Sequence, residues 1–206
     1  MGDLTAPAVA DIDYKTFVEM WRLSAPGGDA EHCFMRISHE EFSSQYLGDH
    51  SFDNMPRFRE IPSNELIDGA NCGFNFDTVT VDVPMYLNYL LFRFFSKGGT
   101  ITRWNVQHID QVLEAGAGPL KPSGDRRRSE PSGSPDAVIV CVGLGARFLG
   151  GVEDTTVYPV RGQTVIIRAP WVKLGRAFES DREWTYIIPR KGGNVVLGGV
   201  QGVDDW

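Results

Sequence analysis

The chain has 206 residues, 42% of them hydrophobic, enough to bury a core in one large domain or two small interleaved ones. Lys and Arg number 20 against 27 Asp and Glu, and the net charge of -7 excludes the basic field that a nucleic-acid partner requires. Cys33, Cys72 and Cys141 make neither a CxxC nor a metal-finger spacing, which points to a reducing intracellular compartment, and no apolar stretch is long enough to span a bilayer.

Residues 14–23 predict an amphipathic helix with Tyr14, Phe17, Val18 and Trp21 on one stripe, stopped by Pro26, Gly27 and Gly28. Residues 33–76 mix polar and aromatic side chains with weak periodicity and predict only short strands and loops. In residues 78–83 the valines alternate with Thr80 and Asp82, the period of a half-buried strand. A helix follows: Pro84 suits its first turn, Leu87, Leu90, Leu91 and Phe94 repeat at helical spacing, and Gly98-Gly99 ends it. Residues 100–106 then predict a strand and residues 109–113 a short helix.

Residues 116–135 carry Pro, Gly, Ser and the run Arg126-Arg127-Arg128, the composition of a mobile surface loop with solvated arginines rather than an address patch. The unbroken apolar run at 137–142 predicts a fully buried strand of a parallel sheet, and residues 163–168 a further strand. Residues 185–189 and 194–200 predict a hairpin closed by a turn that contains Gly192 and Gly193. Strands alternating with helices, plus a hairpin, make a mixed α/β fold.

The chemistry-bearing pattern is Val138 to Arg147, a strand running into a glycine turn where backbone can approach a nucleotide closely. Phe148 occupies the place of the third glycine of GxGxxG, so a stand-alone dinucleotide fingerprint is incomplete. His32, His39, His50 and His108 are scattered, without the spacing of metal ligands.

Taken together, CVGLGARFLGGVED, VYPVRGQTVIIRAPW, WTYIIPRKGGNVVLGG and the final DDW resemble D-amino-acid oxidases, particularly fungal ones, in the same order and nearly the same spacing. Residues 76–106 are similar to the family's strand, YLNYLLFRF-like helix and GGTITR-like strand, and residues 14–73 resemble it more loosely. The resemblance implies a partial FAD-binding Rossmann-like domain interleaved with a mixed-sheet substrate domain. Residues 14–100, with a helix at 84–96, fall mainly in the substrate part, 100–160 in the FAD-binding part, and 161–206 in substrate-domain strands and the hairpin.

The resemblance also implies FAD as cofactor and hydride transfer from Cα of a D-amino acid, with molecular oxygen restoring the flavin and yielding hydrogen peroxide. Such chemistry needs positioning groups, and no protein nucleophile or strong base is implied. Tyr186 matches the tyrosine whose hydroxyl holds the substrate carboxylate, facing a flavin-side cavity beside the bend at 140–147. Val106 matches a valine whose main chain meets adenine, and Val142 with Gly143 the turn lining the FAD site. Gln201 stands where some relatives carry an aromatic pocket residue and D-aspartate oxidases an arginine.

Arg176 and Arg182 are expected in the loop before Tyr186, either pairing with an acidic substrate side chain or solvated beside Glu179, Asp181 and Glu183. Neutral D-amino acids are the expected substrates, with D-aspartate as the alternative. The family opens with a strand, glycine turn and helix where this chain has MGDLTAPAV, and carries a carboxylate-binding arginine beyond Trp206. A truncated, inactive form binding FAD weakly, or a non-catalytic remnant, is therefore also expected. A peroxisomal location is implied for an intact relative and a cytoplasmic one for this chain; a homodimer stays open.

Overall fold

A computed structural model describes residues 7–46, 52–115, 135–181 and 184–205. The Arg126–Arg128 run, His50 and Arg182 lie outside these residues. The chain divides into two compact units, residues 1–96 with 162–201 and residues 97–161 with 202–206.

In the first unit, helix α1 (Pro7–Leu23) begins well before residue 14, because Pro7 suits a first helical turn and the alanines that follow favour helix. The Ser24 hydroxyl donates to the Trp21 carbonyl at 2.8 Å where the helix ends. Half of the predicted stripe faces solvent: Tyr14 and Val18 are exposed, whereas Trp21 takes the Arg36 guanidinium over its ring at 4.1 Å.

Strand β1 (Phe34–Ser43), strand β2 (Arg59–Glu60) and strand β3 (Cys72–Val81) follow, so the segment 33–76, expected to hold only short strands, contains one ten-residue strand and the first half of another, whose second half overlaps the strand predicted at 78–83. Its periodicity is weak because the middle of β1 is Ser38-His39-Glu40-Glu41, polar residues of which Ser38 and Glu40 pair with neighbouring strands and His39 and Glu41 with each other. Helix α2 (Val83–Ser96) matches the expectation, but its apolar residues Leu87, Phe92 and Phe94 are exposed.

The second unit holds helix α3 (Asp110–Ala115) and most of strand β4 (Val160–Gly162), which pairs with a late strand described below. Strands β5 (Val165–Arg168), β6 (Leu174–Glu179), β7 (Trp184–Pro189) and β8 (Asn194–Gly198) return to the first unit. Strand β9 (Gln201–Val203) forms a two-stranded ladder with β4.

The large sheet runs β2-β3-β1-β6-β7-β8-β5. Its β1–β6 pairing is parallel and the others are antiparallel. One face carries Phe34, Arg36 and Phe42 and receives α1 and α2, with Leu23, Ala30, Cys33 and Phe34 forming a buried cluster. The opposite face carries Phe74 and Phe76, covered by Phe52, Met55 and Phe58. Thr80 ties β3 to the end of β7 by donating its hydroxyl to the Pro189 carbonyl at 2.6 Å.

The β7–β8 hairpin is as the sequence predicts, with Arg190 N–H bonded to the Asn194 carbonyl at 2.8 Å. Gly193 sits at a φ of 83°, and a Cβ there would lie 3.0 Å from Pro170 Cβ. Gly193→Ala is therefore expected to cost about 1–2 kcal/mol through strain at positive φ, read as a lower urea midpoint; an unchanged midpoint would refute the strain argument.

Two predicted strands are absent. Residues 101–106 and 137–142 are irregular, and Ile139 is 85% exposed rather than buried. A β-strand needs a ladder partner along its length, and no described strand runs beside either run. In the same unit, His108 and Gly150 form an isolated parallel bridge, and the glycines at 150 and 151 leave room for the His108 ring.

The thiols differ sharply in setting. Cys33 and Cys72 are buried and Cys141 is exposed, and burial, with Asp82 nearby, pushes the Cys33 thiol up. Alkylation at neutral pH is expected to label Cys141 first and Cys33 only on unfolding or at higher pH. Mass mapping that found Cys33 modified as fast as Cys141 would contradict this.

Candidate functional site

β7 alternates its side chains between the sheet faces, which puts Thr185 and Ile187 on the helix-covered face and Trp184 and Tyr186 on the other. Cross-strand pairing places Tyr186 opposite Ala177 on β6 and Gly198 on β8, and Ala177 opposite Glu41 on β1. Phe74, Glu41, Ala177, Tyr186 and Gly198 thus form one transverse row. In it the half-buried phenol lies over glycine: a Cβ at Gly198 would stand 2.5 Å from the tyrosine hydroxyl and 2.8 Å from Cε2. The Trp184 ring borders the phenol, centroid to centroid 4.8 Å.

On the same face, His39 Nε2 and Glu41 Oε2 are 3.0 Å apart, their side chains only 13% and 16% exposed. The His39 ring lies beside Phe76 and close over Gly175, where a side chain would collide with Nδ1. The glycines at 175 and 198 therefore let His39 and Tyr186 lean across the neighbouring strand.

Arg176 is not in a loop. It lies on β6, on the face opposite Tyr186, where its Nε and Nη2 donate to Glu40 Oε2 at 2.9 and 2.5 Å and its guanidinium sits 5.6 Å from the Phe42 ring centre. Period-two alternation forbids neighbouring strand residues from sharing a face, so this arginine holds β6 to β1 instead of meeting a ligand beside Tyr186. Arg182 falls outside the described residues. Gln201 opens β9 and is exposed.

In the second unit, Val106 and Val142 come together. They line one hollow of about 380 Å³ with Ile109, Val112, Cys141 and Phe148. Gly143, at a φ of 54°, starts the 3₁₀ turn Gly143–Arg147, and Gly145 N–H returns to the Val142 carbonyl at 3.0 Å. The glycine turn is thus present without the strand expected to feed it. Arg147 faces away from phosphate-type work, donating to the Thr155 and Val157 carbonyls at 2.7 and 3.0 Å.

Aliphatic walls with main-chain groups outside any ladder fit a flat heteroaromatic ring bearing donors and acceptors on its edge. The hollow therefore fits the adenine end of FAD, and it offers no cationic side chain among its lining residues for the pyrophosphate. The sequence reading missed Ile109, Val112 and Phe148 as partners in this wall; Phe148 registered there only as a failed third glycine. It also missed Trp184 and Gly198 as neighbours of Tyr186.

Residues 38–206 match the profile of the FAD dependent oxidoreductase family, DAO. The chain belongs to this family. A D-aspartate oxidase of Cryptococcus neoformans var. grubii is 31% identical over 201 residues, covering 94% of this chain and 50% of that protein. A D-amino-acid oxidase of Schizosaccharomyces pombe is 32% identical over 152 residues, 72% of this chain and 38% of that protein. The chain therefore spans half or less of the length of these relatives.

A crystal structure of glycine oxidase from Geobacillus kaustophilus superposes with a TM-score of 0.63 at 15% identity, covering 99% of this chain and 58% of that one, a likeness of fold. DAO proteins are FAD-dependent, so FAD is the cofactor implied for this chain, and the mixed α/β architecture is the one seen here. No described helix is long and apolar enough to cross a membrane, and no described cluster of His, Cys, Asp and Glu could hold a metal.

Proposed function

We propose that this DAO chain supplies the substrate-carboxylate tyrosine and the adenine-side wall of an enzyme that oxidatively deaminates D-amino acids. The imino acid left by hydride loss is hydrolysed by water to a 2-oxo acid and ammonia, and oxygen, the second substrate, takes up the electrons as hydrogen peroxide. The observation that carries the reading is Tyr186, set half-buried in the WTYIIP strand beside Trp184 with its phenol laid over Gly198.

When bound, FAD supplies the hydride acceptor. Val106 and Val142, which line the hollow of the second unit, would hold its adenine, and the positive-φ bend at Gly143 would let backbone approach it. Tyr186 donates its hydroxyl to the substrate carboxylate, a charge-assisted bond that fixes which Cα hydrogen is presented. No residue of the chain is asked to act as nucleophile.

Neutral side chains are the preferred substrates in this reading, because Arg176 is held by Glu40 and position 201 is an uncharged glutamine. D-aspartate is the second reading, favoured by the similarity to the Cryptococcus D-aspartate oxidase over 94% of the chain. A peroxide-forming activity fits a peroxisomal site of action.

The test is oxygen consumption by the protein supplied with FAD, comparing D-alanine, D-aspartate and their L-enantiomers. Turnover of D-alanine above D-aspartate is expected, with none of the L-forms. The reverse order selects the second reading. Flavin-loaded protein that turned over no D-amino acid would overturn both, and protein that took up no flavin would overturn the adenine assignment.

A further inference from the structure

We infer that Gly198, Gly199 and Trp184 are positioning residues that lock the Tyr186 phenol in a single orientation; the inference rests on the carboxylate role proposed for that tyrosine. Neither glycine has a φ in the left-handed region, although the peptide bond between them is cis. What fills the space a side chain would need is the phenol. A Cβ at Gly198 would lie 2.5 Å from the hydroxyl, and one at Gly199 would lie 2.8 Å from Cε1 and 3.4 Å from the hydroxyl.

Both glycines are held against β7. Gly198 is the ladder partner of Tyr186, and Gly199 N–H donates to the Trp184 carbonyl at 2.8 Å. The floor under the ring is therefore fixed to the strand that carries it. Trp184, two residues away on the same face, closes the side at 4.8 Å between ring centres, tilted 56°. Ala177, opposite Tyr186 on β6, offers no bulk in the other direction, and the ring leans toward β8. Tyrosine has few torsions, and with a flat glycine floor and an indole wall the position of its hydroxyl oxygen is set before any ligand arrives.

Gly198→Ala should eject the ring from this seat. Nitration of Tyr186 by tetranitromethane, followed by peptide mass analysis, reads the ring's exposure without needing cofactor or turnover. Several-fold faster nitration in the folded Gly198→Ala protein is expected, and a smaller acceleration in Trp184→Ala than in Trp184→Phe would run against the inference. If Gly198→Ala folds poorly, the double variant with Tyr186→Ala decides: restored melting temperature ties the damage to the phenol, and no restoration overturns the lock.

With FAD and D-alanine, Gly198→Ala should raise KM on the order of tenfold, as expected for loss of a charge-assisted hydrogen bond. Combined with Tyr186→Phe it should cost no more than the tyrosine change alone. Faster nitration with KM unchanged upholds the lock and removes the carboxylate role from Tyr186. Unchanged nitration in both folded variants overturns the lock itself.

Discussion

Tyr186→Phe is expected to raise KM for a D-amino acid by about ten- to a hundredfold while the protein stays folded, because a hydrogen bond to a charged group contributes about 1.5–3 kcal/mol. The phenylalanine ring keeps the seat over Gly198 and the contact with Trp184, so only the hydroxyl is lost. kcat should move less than KM if the bond is already formed to the bound carboxylate before reaction. Steady-state kinetics with D-alanine checks this. A KM equal to that of the parent protein would remove Tyr186 from the substrate site, whatever the fate of the family assignment.

The largest stability effect is expected at Phe34. It is 2% exposed, packs with Leu23, Ala30 and Cys33, and meets the Tyr86 ring edge-on at 5.1 Å. Phe34→Ala leaves a cavity where β1, β3, α1 and α2 converge and should cost about 3–5 kcal/mol. Against a typical domain stability of about 5–15 kcal/mol, that is a large share. Urea unfolding checks it, with Leu87→Ala as the comparison: Leu87 is 58% exposed on α2 and its loss should stay within about 0.5 kcal/mol. Equal midpoints for the two variants would contradict the placement of the core.

The parts of the fold that were legible in sequence are those whose signal is local. Helix α2 carries its spacing within its 14 residues, with Pro84 in its first turn and Gly98 just past its end, and the β7–β8 hairpin carries its own turn. The runs at 100–106 and 137–142 show the opposite. Apolar composition reports that a segment suits burial, and a ladder also needs a neighbouring strand that the segment cannot encode by itself.

The site was read with the same division. WTYIIP drew attention to Tyr186, and Val106, assigned to adenine, and Val142, assigned to the turn lining the FAD site, line one hollow. Arg176 was misplaced because Leu174 to Glu179 interleaves Gly175 and Ala177 with a charged residue, a weak strand signal. Its small residues matter for what lies across from them, a ring of His39 over Gly175 and Tyr186 opposite Ala177. Likewise Gly198 reads as an unremarkable hairpin glycine until the phenol above it is seen.

The parallel seam between β1 and β6 joins residues 136 positions apart, as in the Arg176–Glu40 pair. Closing so long a loop precedes any reward from the contacts it makes, so assembly of the large sheet should be slow beside that of a helical protein of equal size. On the ribosome, β1 and β3 emerge before β6 and must wait, one edge unsatisfied, until β6 has been made. A nascent sheet whose central seam closes only after so long a stretch of chain is expected to expose that strand edge during synthesis.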